Sequence, residues 1–413
     1  MDYLTSLKMT DSTKQQKAAL ITEHRTYTYA ELIKAAQSIR DTADFAPNCI
    51  FIHEDEISAQ LIKFIAYSGT ETVPVIATKI SRQQQFAAED IPPRACMGVM
   101  TSGSTGKSKL LWRSCESWAD FFPEQNKIFG LSENSIIFCQ GSLAFTGNLN
   151  IYMGVLAAGG TIVAADKFAP KKWLAMINEY KVNAIYMIPS KLMVLIKAAT
   201  AQNHNVHHII SGSQSMGRRK AAELKHIFPN TDITLYYGAS ELNYITYIKD
   251  ADMTDDETLI GKPFRGVHIS IDHGEILVST PYGIENIKMP FSLKDKGYID
   301  ENGNLHFQGR SDDIVNVNGI KISAYKVERA IMRLLPCREA AVLALHHGGT
   351  DLLAAFAVLN EGRPIARADL LKALRQELID YEIPKKFIYL NELPKNESGK
   401  IDRFALSELH KTL

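Results

Sequence analysis

The sequence predicts an α/β protein: a large N-terminal domain of helix-covered sheets ending in a β-rich portion, then a small α+β C-terminal domain. Three observations carry this. Short apolar runs alternate with helically spaced stretches over most of the chain, the rhythm of parallel strands covered by helices. From residue 261 to 308 that rhythm gives way to short strands joined by D-H-G and E-N-G turns. Beyond Gly309 the chain starts a new set of strands and helices.

The elements follow in order. Residues 29–40 (YAELIKAAQSIR) space apolar side chains as a helix does, and 49–53 (CIFIH) form an apolar run of strand length. Helix is expected again at 56–67 and strand at 73–77. Then come strand 159–164, helix 170–180, strand 182–188, helix 191–200, strand 206–211 and helix 217–228. The β-rich portion holds VHISI (267–271) and GEILVST (274–280), and the tail has strands at 340–345 and 352–359 and a helix at 367–379. The expected division is a domain over 1–309, a connector at 310–313 and a small domain over 314–413.

The chain of 413 residues suits two or three domains at roughly 100–200 residues each. Hydrophobic residues make up 46% and charged residues 22%, which excludes a disordered or fibrous chain. Lys plus Arg equals Asp plus Glu at 46 each, so no overall basic field would draw nucleic acid or an anionic membrane. No apolar run approaches the roughly 18 residues that span a bilayer, and residues 1–20 lack the apolar centre of a signal peptide. The five cysteines are scattered without a C-x-x-C pair. They read as reduced, inert thiols of a cytoplasmic protein, Cys115 and Cys139 included.

Residues 98–110, GVMTSGSTGKSKL, are the most distinctive segment. Glycines let backbone N–H groups converge, hydroxyls add donors and lysines add positive charge, which is how a loop holds phosphate oxygens. A P-loop, G-x-x-x-x-G-K-[ST], is excluded because its first Gly falls on Thr101. His204, His207 and His208 lack a Cys or acidic partner at zinc-ligand spacing. No G-x-S-x-G elbow is present, and no G-x-G-x-x-G follows a strand.

TSGSTGKSK (101–109), YYGASE (236–241), GRSDDIVNVNGIKIS (309–323) and PKNESGKI (394–401) occur in an order that resembles the adenylate-forming, or AMP-binding, enzymes. That family comprises acyl- and aryl-CoA synthetases, nonribosomal-peptide adenylation domains and luciferases. TYTYAEL (26–32), GKPFRGVHISI (261–271) and KDKGYIDENGNLHFQGR (294–310) extend the resemblance over nearly the whole chain.

The resemblance implies ATP-dependent activation of a carboxylic acid through an acyl-adenylate, followed by thioester formation with CoA. The alternative is loading of the acid onto the phosphopantetheine arm of an acyl or aryl carrier protein, and a third reading is a non-catalytic nucleotide-binding relative. It further implies that Thr101, Ser102, Gly103, Ser104, Thr105, Gly106, Lys107 and Lys109 close over ATP phosphates, with Ser108 in place of the family's proline. Tyr237 and Gly238 would lie against adenine, with Ser240 beside them, and Glu241 would hold Mg²⁺. Asp295 would accept the ribose hydroxyls, although Leu293-Lys294 replace the small residues usual before it, and Arg310 would meet ribose and phosphate. Asp312 takes the hinge position of a mobile C-terminal lid, and Gly319 leaves room for a pantetheine arm. Lys400 would meet the charge that builds up as carboxylate attacks the α-phosphate. The acyl pocket is expected around Phe145, Thr146, Asn148, Ser213 and Tyr244. The short interval between residues 79 and 98 implies a shortened first subdomain.

Overall fold

The structure is a computed structural model that describes residues 2–8, 14–46, 48–77, 91–101, 109–310, 313–347, 350–360, 366–395 and 401–412. The chain divides into two compact units. One comprises Met1–Ser270, Val278–Phe291 and Ile299–His306, and the other Ile271–Leu277, Ser292–Tyr298 and Phe307–Leu413. Among the described residues, no helix is long and apolar enough to cross a membrane.

The first unit is built on two sheets. In the larger, strands Ala18–Ile21, Thr161–Ala165, Ile136–Gln140, Ala184–Tyr186, His208–Gly212 and Asp232–Ala239 run parallel, each beside the next. Their side chains are buried on both faces, as the apolar runs predict. Helices Pro170–Glu179, Pro189–Ala198 and Arg218–Ile227 serve as crossovers. They close a core in which Trp173, Leu192, Leu195 and Leu224 pack on Ile185, Ile209 and Ile233. After Asp232–Ala239 the sheet turns antiparallel through Asn243–Lys249 and Leu259–Pro263. The turn between the first two of these strands is residues 240–242, too short for a parallel crossover. It holds the acidic end of the YYGASE motif.

The smaller sheet comprises Asn48–Ile52, Thr72–Ile76, Ala95–Thr101 and Lys109–Ser114 in that order. The first three are parallel and the last antiparallel to its neighbour. Helix Tyr29–Thr42 is fixed at its start by a capping box, the Thr28 hydroxyl accepting from the Glu31 backbone while the Glu31 carboxylate accepts from the Thr28 N–H.

In the second unit, Cys337–His347 pairs antiparallel with Thr350–Leu359, and Lys386–Tyr389 lies parallel to the latter. Helices Ala324–Leu334 and Arg367–Leu374 bury Val327, Ile331, Leu370 and Leu374 on one face of this sheet. On the other, Leu406 of helix Arg403–Thr412 packs against Ala341 and Phe356. A hairpin, Ile314–Val317 and Ile320–Ser323, turns at Asn318-Gly319 with φ of 52° and 87°. Positive φ at both central residues is the two-residue turn that Asn-Gly favours.

Candidate active site

Strand Ala95–Thr101 and strand Lys109–Ser114 form an antiparallel pair in which Thr101 stands opposite Lys109. The apolar lead-in to residues 102–108 is therefore a strand, and it pairs as a hairpin with the strand that follows them. Ser102, Gly103, Ser104, Thr105, Gly106 and Lys107 lie outside the described residues, as do Asp312 and Lys400.

The YYGASE motif ends one strand and turns into the next. A register shift falls between Tyr237 and Gly238. A Cβ on Gly238 would lie 2.5 Å from the carbonyl oxygen of Asn243, so the close approach of the two strands admits no side chain there. Asn243 sits at φ 65°. Its side-chain oxygen accepts from Asn150 Nδ2 at 3.0 Å, and Asn150 Oδ1 accepts from Trp118 Nε1 at 2.6 Å, which ties the turn to buried helix Thr146–Ala158.

Within that turn, Ser240 Oγ and Thr146 Oγ1 are 3.3 Å apart. Glu241 is half-buried, its carbonyl accepting from Ile284 N–H at 2.9 Å. Its carboxylate forms no ion pair with a described residue. Among the described residues no group of three His, Cys, Asp or Glu could hold a metal ion. Glu241 presents a half-buried carboxylate at this turn, and a hard oxygen ligand of that kind suits Mg²⁺.

Arg113 is the residue that sequence reasoning missed. It is 1% exposed, in strand Lys109–Ser114. Its Nη2 donates to the Ser240 carbonyl at 2.6 Å, and its Nη1 donates to the carbonyls of Tyr282 at 2.8 Å and Ser117 at 3.2 Å. Burial pushes the guanidinium down to about 10, and the nearby Glu241 carboxylate opposes that shift. One buried cation thus joins the hairpin that flanks residues 102–108 to the peptide preceding Glu241. The neighbouring Trp112 carbonyl adds a second tie, accepting from Glu285 N–H at 2.8 Å.

In the second unit, Asp295 is 5% exposed and Arg310 Nε lies 3.6 Å from its Oδ1. Arg310 Nη2 donates to the Leu293 carbonyl at 3.3 Å. The structure thus brings together the two residues that the resemblance assigns to ribose. Lys294, between them and Leu293, adopts φ 65° and reaches Glu275 at 3.2 Å.

The expected pocket residues divide. Phe145 and Thr146 are half-buried at the start of helix Thr146–Ala158, and Ser213 is exposed at φ 66° after strand His208–Gly212. Asn148 is buried and donates Nδ2 to the carbonyls of Gln140 and Ser142. Tyr244 is sealed in an aromatic core, 4.6 Å edge-on to Tyr236 and 5.4 Å from both Phe121 and Phe129. The hydroxyls of Tyr186 and Tyr236 share a hydrogen bond of 2.6 Å next to Gly147. Gly319 serves the Asn-Gly turn, and Asn318 Nδ2 holds that turn to the Asp351 carbonyl at 2.6 Å.

The chain matches the pattern of the AMP-binding enzymes over residues 46–283 and that of the AMP-binding enzyme C-terminal domain over residues 326–400. The chain belongs to the AMP-binding enzyme family. An acyl-CoA ligase of Bacillus subtilis (strain 168), YhfT, itself uncharacterised, is 29% identical over 321 residues, which are 73% of this chain and 66% of that protein. The D-alanine–D-alanyl carrier protein ligase of Lactococcus lactis subsp. lactis (strain IL1403) is 25% identical over 98% of this AMP-binding enzyme and 87% of its own length. In fold the chain is similar to o-succinylbenzoate CoA synthetase (MenE) of Bacillus subtilis, solved with an acyl-adenylate intermediate. That likeness has a TM-score of 0.81 at 19% identity, over 98% of this chain and 97% of the other.

Proposed function

We propose that the protein condenses a carboxylic acid with ATP to give an acyl-adenylate and pyrophosphate, then transfers the acyl group to the thiol of CoA with release of AMP. The observation that carries this reading is the match to both family patterns on one chain, in order and joined near Arg310. Adenylation makes the carboxylate oxygen part of a good leaving group, and the thiol then displaces AMP.

Each role falls to a residue of this chain. Glu241 would hold Mg²⁺, which when bound supplies positive charge to the phosphates. Arg113 keeps the Glu241 turn against the phosphate hairpin. Asp295 accepts the ribose hydroxyls and Arg310 sits beside it. The backbone and side chains of residues 101–109 receive the phosphates, and Lys400 neutralises charge as the new bond to the α-phosphate forms. Asp312 lies at the hinge between the two half-reactions. ATP and a reduced thiol acceptor place this work in the cytoplasm.

A carrier-protein thiol is the second reading, favoured by the match to the D-alanyl carrier protein ligase over 98% of the chain. CoA and a carrier arm end in the same thiol. The experiment supplies ATP, Mg²⁺ and a panel of fatty, aryl and amino acids with either CoA or a phosphopantetheinylated carrier, and identifies thioesters by mass spectrometry. An acyl-CoA product supports the first reading and an acyl-carrier product the second. Folded protein that makes neither an adenylate nor a thioester from any acid overturns both.

A further inference from the structure

The large sheet reverses its winding between two of its parallel strands. From Ile136–Gln140 the chain crosses to Thr161–Ala165 on one side, then returns to Ala184–Tyr186 on the other. Ligands of open α/β sheets bind outside the carboxyl ends of the strands at such a switch point. Helix Thr146–Ala158 starts here, five residues beyond the end of the first of these strands. Two tyrosines occupy the space between that helix and the sheet. Ile185 and Leu235 belong to the core on one face. Successive side chains of a strand point to opposite faces, so Tyr186 and Tyr236 stand on the other. Both are buried, with ring centroids 6.4 Å apart and hydroxyls 2.6 Å apart. A Cβ on Gly147, in the first turn of the helix, would lie 2.1 Å from the Tyr186 hydroxyl and 3.0 Å from that of Tyr236. On the neighbouring strand, a Cβ on Gly212 would lie 2.5 Å from the Tyr236 ring. Helix backbone, both tyrosines and strand backbone are therefore packed against one another. Thr146 directly precedes Gly147, and its Oγ1 meets the Oγ of Ser240, the neighbour of Glu241, at 3.3 Å.

We propose that the acid this protein activates is a short one, its tail stopped by the hydroxyl pair of Tyr186 and Tyr236. The inference rests on the carboxylate activation proposed above. The reacting carboxylate must come beside Glu241, where the nucleotide phosphates are received, so it stands at the turn of residues 240–242. Its tail then runs from the Thr146–Ser240 contact toward Gly147, and the tyrosine hydroxyls end that path. A methylene driven further would have to displace two buried rings from a packed site. It would also part the two hydroxyls, leaving buried polar groups without their hydrogen bond. The apolar end of a medium- or long-chain fatty acid, or the ring of an aryl acid, therefore has no place there. A short acid ends at the hydroxyls of Thr146 and Ser240 and leaves both tyrosines where they stand.

The test measures acid-dependent exchange of labelled pyrophosphate into ATP by the full chain. The acids are acetic, propionic, lactic, hexanoic, octanoic and benzoic acids and alanine. Wild-type protein should exchange with at least one of the short acids about tenfold or more faster than with octanoic or benzoic acid, the discrimination a pocket gains against a group it cannot seat. Tyr186→Ala should move the preference toward hexanoic and octanoic acids. Tyr186→Phe, which keeps the ring, should retain the wild-type order. A wild-type preference for octanoic or benzoic acid overturns the proposal, and this result decides alone where Tyr186→Ala does not fold. A folded Tyr186→Ala protein with the wild-type order overturns it too. Either outcome leaves carboxylate activation standing, whereas exchange with no acid at all overturns both readings.

Discussion

Arg113 donates to the backbone carbonyl of Ser240 at 2.6 Å, from a side chain wholly removed from solvent. A buried guanidinium that satisfies three carbonyls is hard to replace, because each buried acceptor left unpaired costs about 1–3 kcal/mol. Arg113→Met should lower folding stability by about 3 kcal/mol or more, and Arg113→Lys, which keeps the charge but cannot reach three acceptors at once, by less. Urea denaturation of the three proteins checks this. An Arg113→Met variant as stable as wild type would mean that the three carbonyls find other partners.

Asp295 should matter for nucleotide affinity more than for the chemical step. Charge-assisted hydrogen bonds from two ribose hydroxyls are worth roughly 1.5–3 kcal/mol each. Asp295→Ala should raise the apparent KM for ATP by about one to two orders of magnitude or more, with a smaller change in kcat. Initial rates against ATP concentration read this directly. Unchanged ATP dependence would remove Asp295 from the ribose site and leave its ion pair with Arg310 a structural one.

The tyrosine core sets an alkaline limit to stability. Burial pushes the Tyr236 hydroxyl up from 10.0 to about 12, the Tyr186 hydrogen bond opposing the shift, and burial raises Tyr186 and Tyr244 as well. A raised value in the folded state means that the unfolded chain loses its proton first as pH rises. The stabilising contribution is complete below about pH 10 and is lost as pH rises through about 12. For Tyr236 it amounts to about 3 kcal/mol. Urea midpoints between pH 9 and 12 should fall steadily; a flat profile would contradict the burial of this cluster.

Much of the fold was legible because burial on both faces leaves a plain mark. The apolar run VNAIYMI held strand Ala184–Tyr186, and TVPVI is strand Thr72–Ile76. The antiparallel half of the large sheet was less so, since strand Asn243–Lys249 reads alike in either direction and the residues of its turn were read as ligands. Glu241, Asp295 and Arg310 are singled out by motif. Arg113 is not, because sequence cannot tell a buried arginine from a solvated one. The hint was a charge placed directly after the apolar run 110–112 of strand Lys109–Ser114.

Lys400 tests the alternation of the two half-reactions. Lys400→Ala should depress adenylate formation by about two orders of magnitude or more, as loss of one transition-state cation does. Given synthetic acyl-adenylate and a thiol acceptor, the same variant should form thioester at near wild-type rate. Equal slowing of both half-reactions would make Lys400 structural or common to both.

Mg²⁺-dependent activation of a carboxylate at Glu241 is measured most directly by carboxylate-dependent exchange of labelled pyrophosphate into ATP. With the correct acid, wild-type protein should exchange label only when both Mg²⁺ and the acid are present. Glu241→Ala should lose that exchange while keeping the wild-type circular dichroism spectrum, since it removes a metal ligand rather than core volume. Exchange that proceeds undiminished in Glu241→Ala, or its absence from folded wild-type protein across a broad panel of acids, would contradict the account.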